Sequence, residues 1–436
     1  MAAIAIALVV FLLGALVISR PGADVPPSVL PTEGAAEALV APALGGSVEG
    51  TIAALRERVR RVPEDAAAYA ALSLAYVRQA AATADPTWYA RAEEAIDRSF
   101  ELAPEGSVEA FLARGSLAAG RHEFAEALAW GRRAVAADPH ESAGYGIVGD
   151  ALLELGRTRA AFRAFQRMVD VEPGLASYAR VSYARELTGD LPGAIRAMRT
   201  ARAFAGTNAD AAWASAHVGL LELRRGRLAA AAAAFREAQA LAPGSILAEA
   251  GLARLAAARG DLAAARARLD WLVERYPAPE YARMLGEVCR VLGHRACARE
   301  ADALVRVQAR LAAAQGVNTD LEIALFEADR GNPAAALRAA RAEWERRRSV
   351  HVADALAWAL HANGRDAEAS RYARRALSLG TPDGTFLYHA GVIALALGRR
   401  AEGERLLERA LSVDPYFSVL GARDARRLLG DLRAPS

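Results

Sequence analysis

Two patterns of hydrophobic and polar positions divide the chain. From Ala2 to Ile18 no charged or strongly polar residue occurs, and Arg20 closes the run. These seventeen apolar residues lie at the short end of what spans a bilayer and exceed the usual core of a signal peptide. No Lys or Arg precedes the run, Pro21-Gly22-Ala23 makes a poor cleavage site, and no cysteine follows it to carry a lipid. Residues 1–20 therefore predict an uncleaved transmembrane anchor, with a cleaved export signal or a buried helix as alternatives. Residues 21–48, with Pro21, Pro26, Pro27, Pro31, Pro42 and two glycine clusters, read as a flexible tether. Arg20 alone favours keeping the tether inside, but one charge is a weak determinant. The tether and the lack of a cytosolic partner motif place the rest outside the cytoplasm, at the cell membrane or, with cleavage, secreted. Beyond residue 48, acidic and basic residues alternate as they do on solvated helix faces.

Punctuation within this second region is periodic. Prolines stand at 104, 139, 173, 243, 277 and 415, with successive early gaps of 35, 34, 70 and 34. Glycines make an independent comb at 156, 189, 226, 260, 293, 331, 364 and 398, spaced 33 to 38 apart. Each residue type has a mechanical reason. A glycine ends one helix in a left-handed cap, and a proline closes the next because it cannot continue one. Small residues sit where two helices touch, and an apolar residue between packs on the following unit. Tyr145, Gly149, Gly156, Ala161, Phe165 and Pro173 mark one copy; Gly219, Gly226, Ala231, Phe235, Ala238 and Pro243 mark another. A third has Gly391, Gly398, Ala410 and Pro415, with Gly403 where alanine is usual.

A period near 34 with these residues resembles the tetratricopeptide repeat. The resemblance covers residues 65–417 in ten units: 65–106, 108–141, 142–174, 175–211, 212–245, 246–278, 279–316, 317–349, 350–383 and 384–417. It implies an all-α, right-handed superhelical α-solenoid of helix-turn-helix repeats, each touching only its neighbours. The first unit carries an insertion around Ala81 to Trp88. Helices within 49–64 and 418–436 cap the two ends, the second turning Arg423, Arg426 and Arg427 to water.

Composition and chemistry change this picture little. Hydrophobic residues make up 53% of the chain but aromatics only 6%, which suits close packing of alanine-rich helices. All 54 basic residues are arginine, the net charge is only +3, and no like-charge run marks a nucleic-acid footprint. Gly144-Tyr145-Gly146-Ile147-Val148-Gly149 fits a dinucleotide pattern, but it falls inside a predicted helix, where Gly149 is the packing residue. His122, His140, His217, His294, His351, His361 and His389 show no metal spacing, and no P-loop or nucleophile elbow occurs. No catalytic residue, metal site, cofactor or small-molecule substrate is expected, and the chain reads as a non-enzyme.

Cys289 and Cys297 flank Gly293 by four residues on either side, at facing levels of two antiparallel helices. They read as a disulfide, as two reduced core residues or, with His294, as a sparse metal site.

The resemblance assigns binding to the concave face, from the second, fifth, ninth and twelfth positions of each unit. Leu112, Ser116, Gly146, Asp150, Ala179 and Tyr183 occupy the fifth and ninth positions of three units, so the Lys and Asn carboxylate clamp of co-chaperones is missing. The middle of the groove offers Tyr183, Glu186, Trp213, Arg254, Arg283, Glu287 and Arg290; its C-terminal end offers Asp354, Trp358, His361, Tyr388 and His389. Spacings of four and three place Asp354, Trp358 and His361 on one helix face, next to Tyr388 and His389 of the adjoining unit. These predict one patch with an aromatic floor and an ionisable rim. The functional expectation is a membrane-anchored or exported protein-interaction scaffold with a protein or peptide partner. Alternatives are an assembly factor holding an extended peptide or secreted client, and a non-catalytic subunit of an envelope enzyme.

Overall fold

In a computed structural model of the protein, residues 48–434 are described, and the anchor and tether expected before them lie outside those residues. Among the described residues there are 22 helices and no strand. They are α1 (Val48–Arg61), α2 (Ala66–Thr83), α3 (Thr87–Leu102), α4 (Val108–Gly120), α5 (Phe124–Ala137), α6 (Ser142–Glu154), α7 (Thr158–Val171) and α8 (Leu175–Leu187). There follow α9 (Leu191–Ala203), α10 (Asn208–Arg224), α11 (Leu228–Leu241), α12 (Ile246–Ala258), α13 (Leu262–Arg275), α14 (Pro279–Val291) and α15 (Arg295–Ala314). The last are α16 (Asp320–Asp329), α17 (Pro333–Arg346), α18 (Val350–Ala362), α19 (Asp366–Ala376), α20 (Gly384–Ala396), α21 (Arg400–Val413) and α22 (Gly421–Arg433). The architecture is an α-solenoid of tetratricopeptide type.

Local chemistry sets these elements. Ser107, Ser245 and Ser349 cap α4, α12 and α18 by accepting hydrogen bonds from the first-turn amides of Ala110, Ala248 and Val352. All eight glycines of the comb have positive φ, between 70° and 90°, which closes each first helix without a Cβ clash. One repeat departs from this device. His122, 34 residues before Gly156, holds φ 63° at the equivalent turn, a conformation that is strained for a side chain. Its Nδ1 lies 2.6 Å from the Asn318 carbonyl, and its ring stacks on Phe124. The insertion in the first unit is absorbed by a longer α2 that ends at Ala84, also with positive φ.

The small residues are where the helices touch. A Cβ on Gly149, in α6, would meet Phe165 at 2.3 Å, so that glycine is a packing residue rather than part of a phosphate loop. Phe235, fully buried, is gripped in the same way by Gly219 and Gly251. Burying such a side chain stabilises the core by about 25 cal/mol per Å² of apolar surface removed from water.

The chain divides into two compact units. The first holds the described residues up to Arg180 together with Phe204–Asp210 and Leu311–Asn318. The second holds Val181–Ala203, Ala211–Arg310 and the described residues from Thr319 onward. In the first unit, Asp150 and Arg180 form an ion pair at 2.7 Å between side chains only 2% and 3% exposed. Burial still pushes the Asp150 carboxyl up to about 6, against the pull of Arg180.

The second unit corrects the expectation that repeats touch only their neighbours. Arg224, at the end of α10, donates to the Pro382 carbonyl at 2.9 Å, 158 residues along the chain. Thr381 Oγ1 donates to the Leu187 carbonyl at 2.8 Å across 194 residues. Ser418 donates to Glu287 at 2.9 Å, and Tyr416 packs on the core formed by α10, α11 and α12. The loops before α20 and after α21 therefore return to the first helices of this unit. At the C-terminal end, α22 buries Ala425 and Leu429 against Leu407 and leaves Arg423, Arg426 and Arg427 exposed.

Candidate functional site

The residues expected along the middle of the groove are drawn into the second unit's internal contacts. Glu186 pairs with Arg224, which also faces Asp383 at 3.6 Å and Asp414 at 3.8 Å. Burial opposes the charge on Arg224, but Glu186, Asp383 and Asp414 together hold its pKa above the ordinary value. The same burial raises Glu186 and pushes Asp414 up to about 6 in spite of Arg224 and Arg254. Arg254 is depressed by burial, with Asp414 working in the opposite direction. Arg283 donates to Glu287 at 2.6 Å, and Glu287 in turn accepts from Ser418. Arg290 pairs with Asp302, which also receives Arg330 at 3.0 Å. Trp213 lies against His217 with ring centroids 4.1 Å apart, and burial pushes that histidine down to about 4, so it is neutral. These residues form a seam that holds the unit together.

The C-terminal group is assembled differently. Trp358 of α18 stacks on His389 of α20 with centroids 4.0 Å apart and planes at 12°. On its own helix it stacks on His361 at 5.0 Å, as a separation of three residues allows. Tyr388 lies 5.9 Å from Trp358 and 5.6 Å from Phe417. The five expected residues therefore do meet. Asp354 and His389 are the buried pair beneath, with Nδ1 2.9 Å from the carboxylate. Burial raises the Asp354 carboxyl, and His389 opposes that rise. Trp358, His361 and Tyr388 remain partly exposed.

The patch gains three carboxylates that the groove positions did not include. Asp329 accepts from the Trp358 indole at 2.8 Å, Asp366 lies 2.5 Å from His361 Nδ1, and Asp424 accepts from the Tyr388 hydroxyl at 2.9 Å. Burial and then Asp424 push the Tyr388 hydroxyl well up, with Asp329 adding to the effect. Asp329 ends α16, Asp366 starts α19 and Asp424 belongs to α22, so none occupies a first-helix binding position of its unit. Only Asp366, five residues beyond His361 at the start of the next helix, carried a usable signal; Asp329 and Asp424 reach their partners across 29 and 36 residues.

Two tetratricopeptide repeat family models match the sequence, over residues 222–288 and 188–246. Residues 188–288 are tetratricopeptide repeats by these matches. No curated protein matches it. Among solved structures, a tetratricopeptide repeat protein from Parabacteroides merdae is similar at 18% identity, over 60% of this chain and 99% of its own, with a TM-score of 0.35. PilW, a type IV pilus biogenesis factor, is similar at 17% identity over 44% of this chain and 89% of its own, with a TM-score of 0.38. A human IFIT1 dimer with m7Gppp-AAAA shows 12% identity over 94% of each chain and a TM-score of 0.49.

Cys289 and Cys297 are joined by a disulfide across the α14–α15 turn, with Cα atoms 6.0 Å apart. That separation lies inside the range of about 4.4–6.8 Å that such bonds need. Among the described residues, no three His, Cys, Asp or Glu side chains are grouped to hold a metal ion. No helix among them is long and apolar enough to cross a membrane, and the stretch expected to do so, 1–20, lies outside them.

Proposed function

We propose that this repeat protein is a non-catalytic interaction scaffold, held at or exported across a membrane, whose protein partner docks on the Trp358 patch. Repeats of this kind generally mediate protein–protein contacts, which supports the scaffold reading. The observation that carries the choice of site is the state of the side chains. Glu186, Arg283, Glu287 and Arg290 are engaged in ion pairs within the unit, whereas Trp358, His361 and Tyr388 keep partly exposed rings in one cluster. Partly exposed aromatic side chains offer large contact area at low entropic cost, as interface anchors do. The Cys289–Cys297 bond supports an oxidising compartment for the repeats, in keeping with the apolar run at Ala2–Ile18.

The test is capture from the organism's own cell envelope by the full-length chain and by Trp358→Ala. Partner recovery should fall at least about tenfold, as for an interface anchor, while helix content by circular dichroism is unchanged. Undiminished capture by the variant would remove the patch from the interface. Loss of the last two repeats' helix content would make Trp358 a core residue instead.

A further inference from the structure

The patch carries a charge pattern that specifies what should enter it. Four carboxylates, Asp329, Asp354, Asp366 and Asp424, touch its rings through Trp358, His389, His361 and Tyr388. Among the described residues only Asp424 is paired with an arginine, Arg427. Hydrogen bonds from an indole or a hydroxyl satisfy an oxygen but leave the carboxylate's charge in place. Asp329 is exposed, and its charge and that of Asp424 both act on the Tyr388 hydroxyl, so the two acids converge from different helices.

Four of the protein's other five tryptophans show what this chain ordinarily puts beside such a ring; the fifth, Trp213, lies against His217. Of the six, Trp88 carries Arg91 at 4.4 Å from its ring centroid, Trp130 carries Arg133 at 4.5 Å, and Trp271 carries Arg275 at 4.6 Å. Trp344 carries both Arg348 at 5.2 Å and Arg375 at 5.3 Å. Among the described residues no arginine lies over Trp358, whose ring stacks on His389 and His361. A guanidinium is attracted to the face of an aromatic ring and to a carboxylate, and its weak hydration makes it the easier cation to desolvate.

We propose that the Trp358 patch recognises an arginine side chain of the docking partner, with the guanidinium against the aromatic cluster and paired with Asp329 and Asp366. This rests on the docking reading above and names the chemistry of its partner. Asp354 and His389 sit beneath as a buried pair that fixes the ring against which Trp358 stacks.

The experiment titrates the full-length chain against a fluorescein-labelled alanine–serine peptide carrying one arginine, and against the same peptide with citrulline, its neutral isostere. Anisotropy should show the arginine peptide binding about tenfold tighter, the scale of a partly desolvated cation–π contact with a carboxylate partner. Asp329→Asn with Asp366→Asn retains both hydrogen-bond acceptors and removes both charges. It should bring the arginine peptide to the citrulline level without moving the thermal transition. Trp358→Ala should do the same, and added salt should erode the preference. Equal binding of the two peptides, or an arginine preference untouched by the double Asn variant, overturns the proposal. Absence of binding by either peptide also overturns it, and envelope capture that still depends on Trp358 would leave the docking reading standing. Capture independent of Trp358 with the peptide preference intact would separate the two in the other direction.

Discussion

The seam around Arg224 and the patch around Trp358 are both built from side chains on first helices of their repeats, yet they settle their charges in different ways. At the seam one guanidinium faces Glu186, Asp383 and Asp414, and its remaining donor capacity goes to a backbone carbonyl. At the patch Asp329 and Asp424 face an indole and a hydroxyl, Asp354 and Asp366 face histidines, and only Arg427 enters as a guanidinium. The two groups are close enough that Asp383 of the seam adds to the rise in the Asp354 carboxyl. Groove positions in one repeat unit can therefore be consumed by folding or kept for a partner, and what decides is whether a matching charge arrives from elsewhere in the same chain.

The largest expected effect tests the seam. Arg224→Ala strands three buried acids and should cost about 3–5 kcal/mol, the usual penalty for breaking a buried pair, read as a fall in the denaturation midpoint. A midpoint within experimental error of wild type would mean that water can solvate those acids, and the contrast with the patch would be lost.

Acidity sharpens the same contrast. Burial, with Glu322 adding to it, pushes Glu280 up to about 7 from an ordinary 4.5, and Asp414 rises to about 6 from 3.8. A raised carboxyl pKa means that the folded state binds the proton more tightly than the unfolded one. This contribution to stability is complete below the unfolded value and is lost as pH rises through the folded one, between about 4 and 7. Urea denaturation should show a decline across that window on the order of 3 kcal/mol from Glu280, and Glu280→Gln should flatten it. A stability that climbs over the same interval would contradict the assigned burial.

Reduction of Cys289–Cys297 opens a short loop and should lower stability by about 2 kcal/mol. The α14–α15 pair should stay helical because Arg290 and Asp302 still tie it together. Complete melting of the unit in reductant would show the bond carrying far more than that.

The smallest effect belongs to the first unit. His122→Gly relieves the positive φ but removes the Asn318 contact, so its net change should stay within about 1 kcal/mol. His122→Ala keeps the strain and loses the contact, and should melt below the glycine variant. Equal melting of the two variants would show that backbone strain is not what that histidine manages.

How much of this was legible depended on how local each cause was. The turn glycines and closing prolines act within one helix end, so the comb at Gly156 through Gly398 could be read residue by residue. The meeting of Trp358, His361, Tyr388 and His389 followed from helical spacing and from adjacency of two repeats. Asp424 was out of reach, since its position depends on how α22 packs on α20 and α21. The seam was further still from sequence reasoning. Arg224 meets Pro382 only after the rotations of many repeats have accumulated, and no short-range pattern encodes such a sum. The turn at His122 was hidden because it breaks the glycine rule and is compensated by Asn318, a residue 196 positions away.

The return of the loops at Thr381–Asp383 and Pro415–Ser418 has a consequence for how this lineage can change. An open array gains or loses a repeat at little cost, because the new end finds the same neighbour as the old one. A stretch whose first and last members hydrogen-bond to each other has a fixed tally, as a clasped bracelet has a fixed number of links. Removing residues 212–245 would take Arg224 with it and displace the partners of Leu187 and Glu287 by one whole helical pair. Duplications between Leu187 and Ser418 should therefore be purged, and so should those between His122 and its partner Asn318, while the stretch before His122 can lengthen. Among descendants of this gene, variation in repeat number is expected on the N-terminal side, with the interval from His122 to Ser418 kept constant.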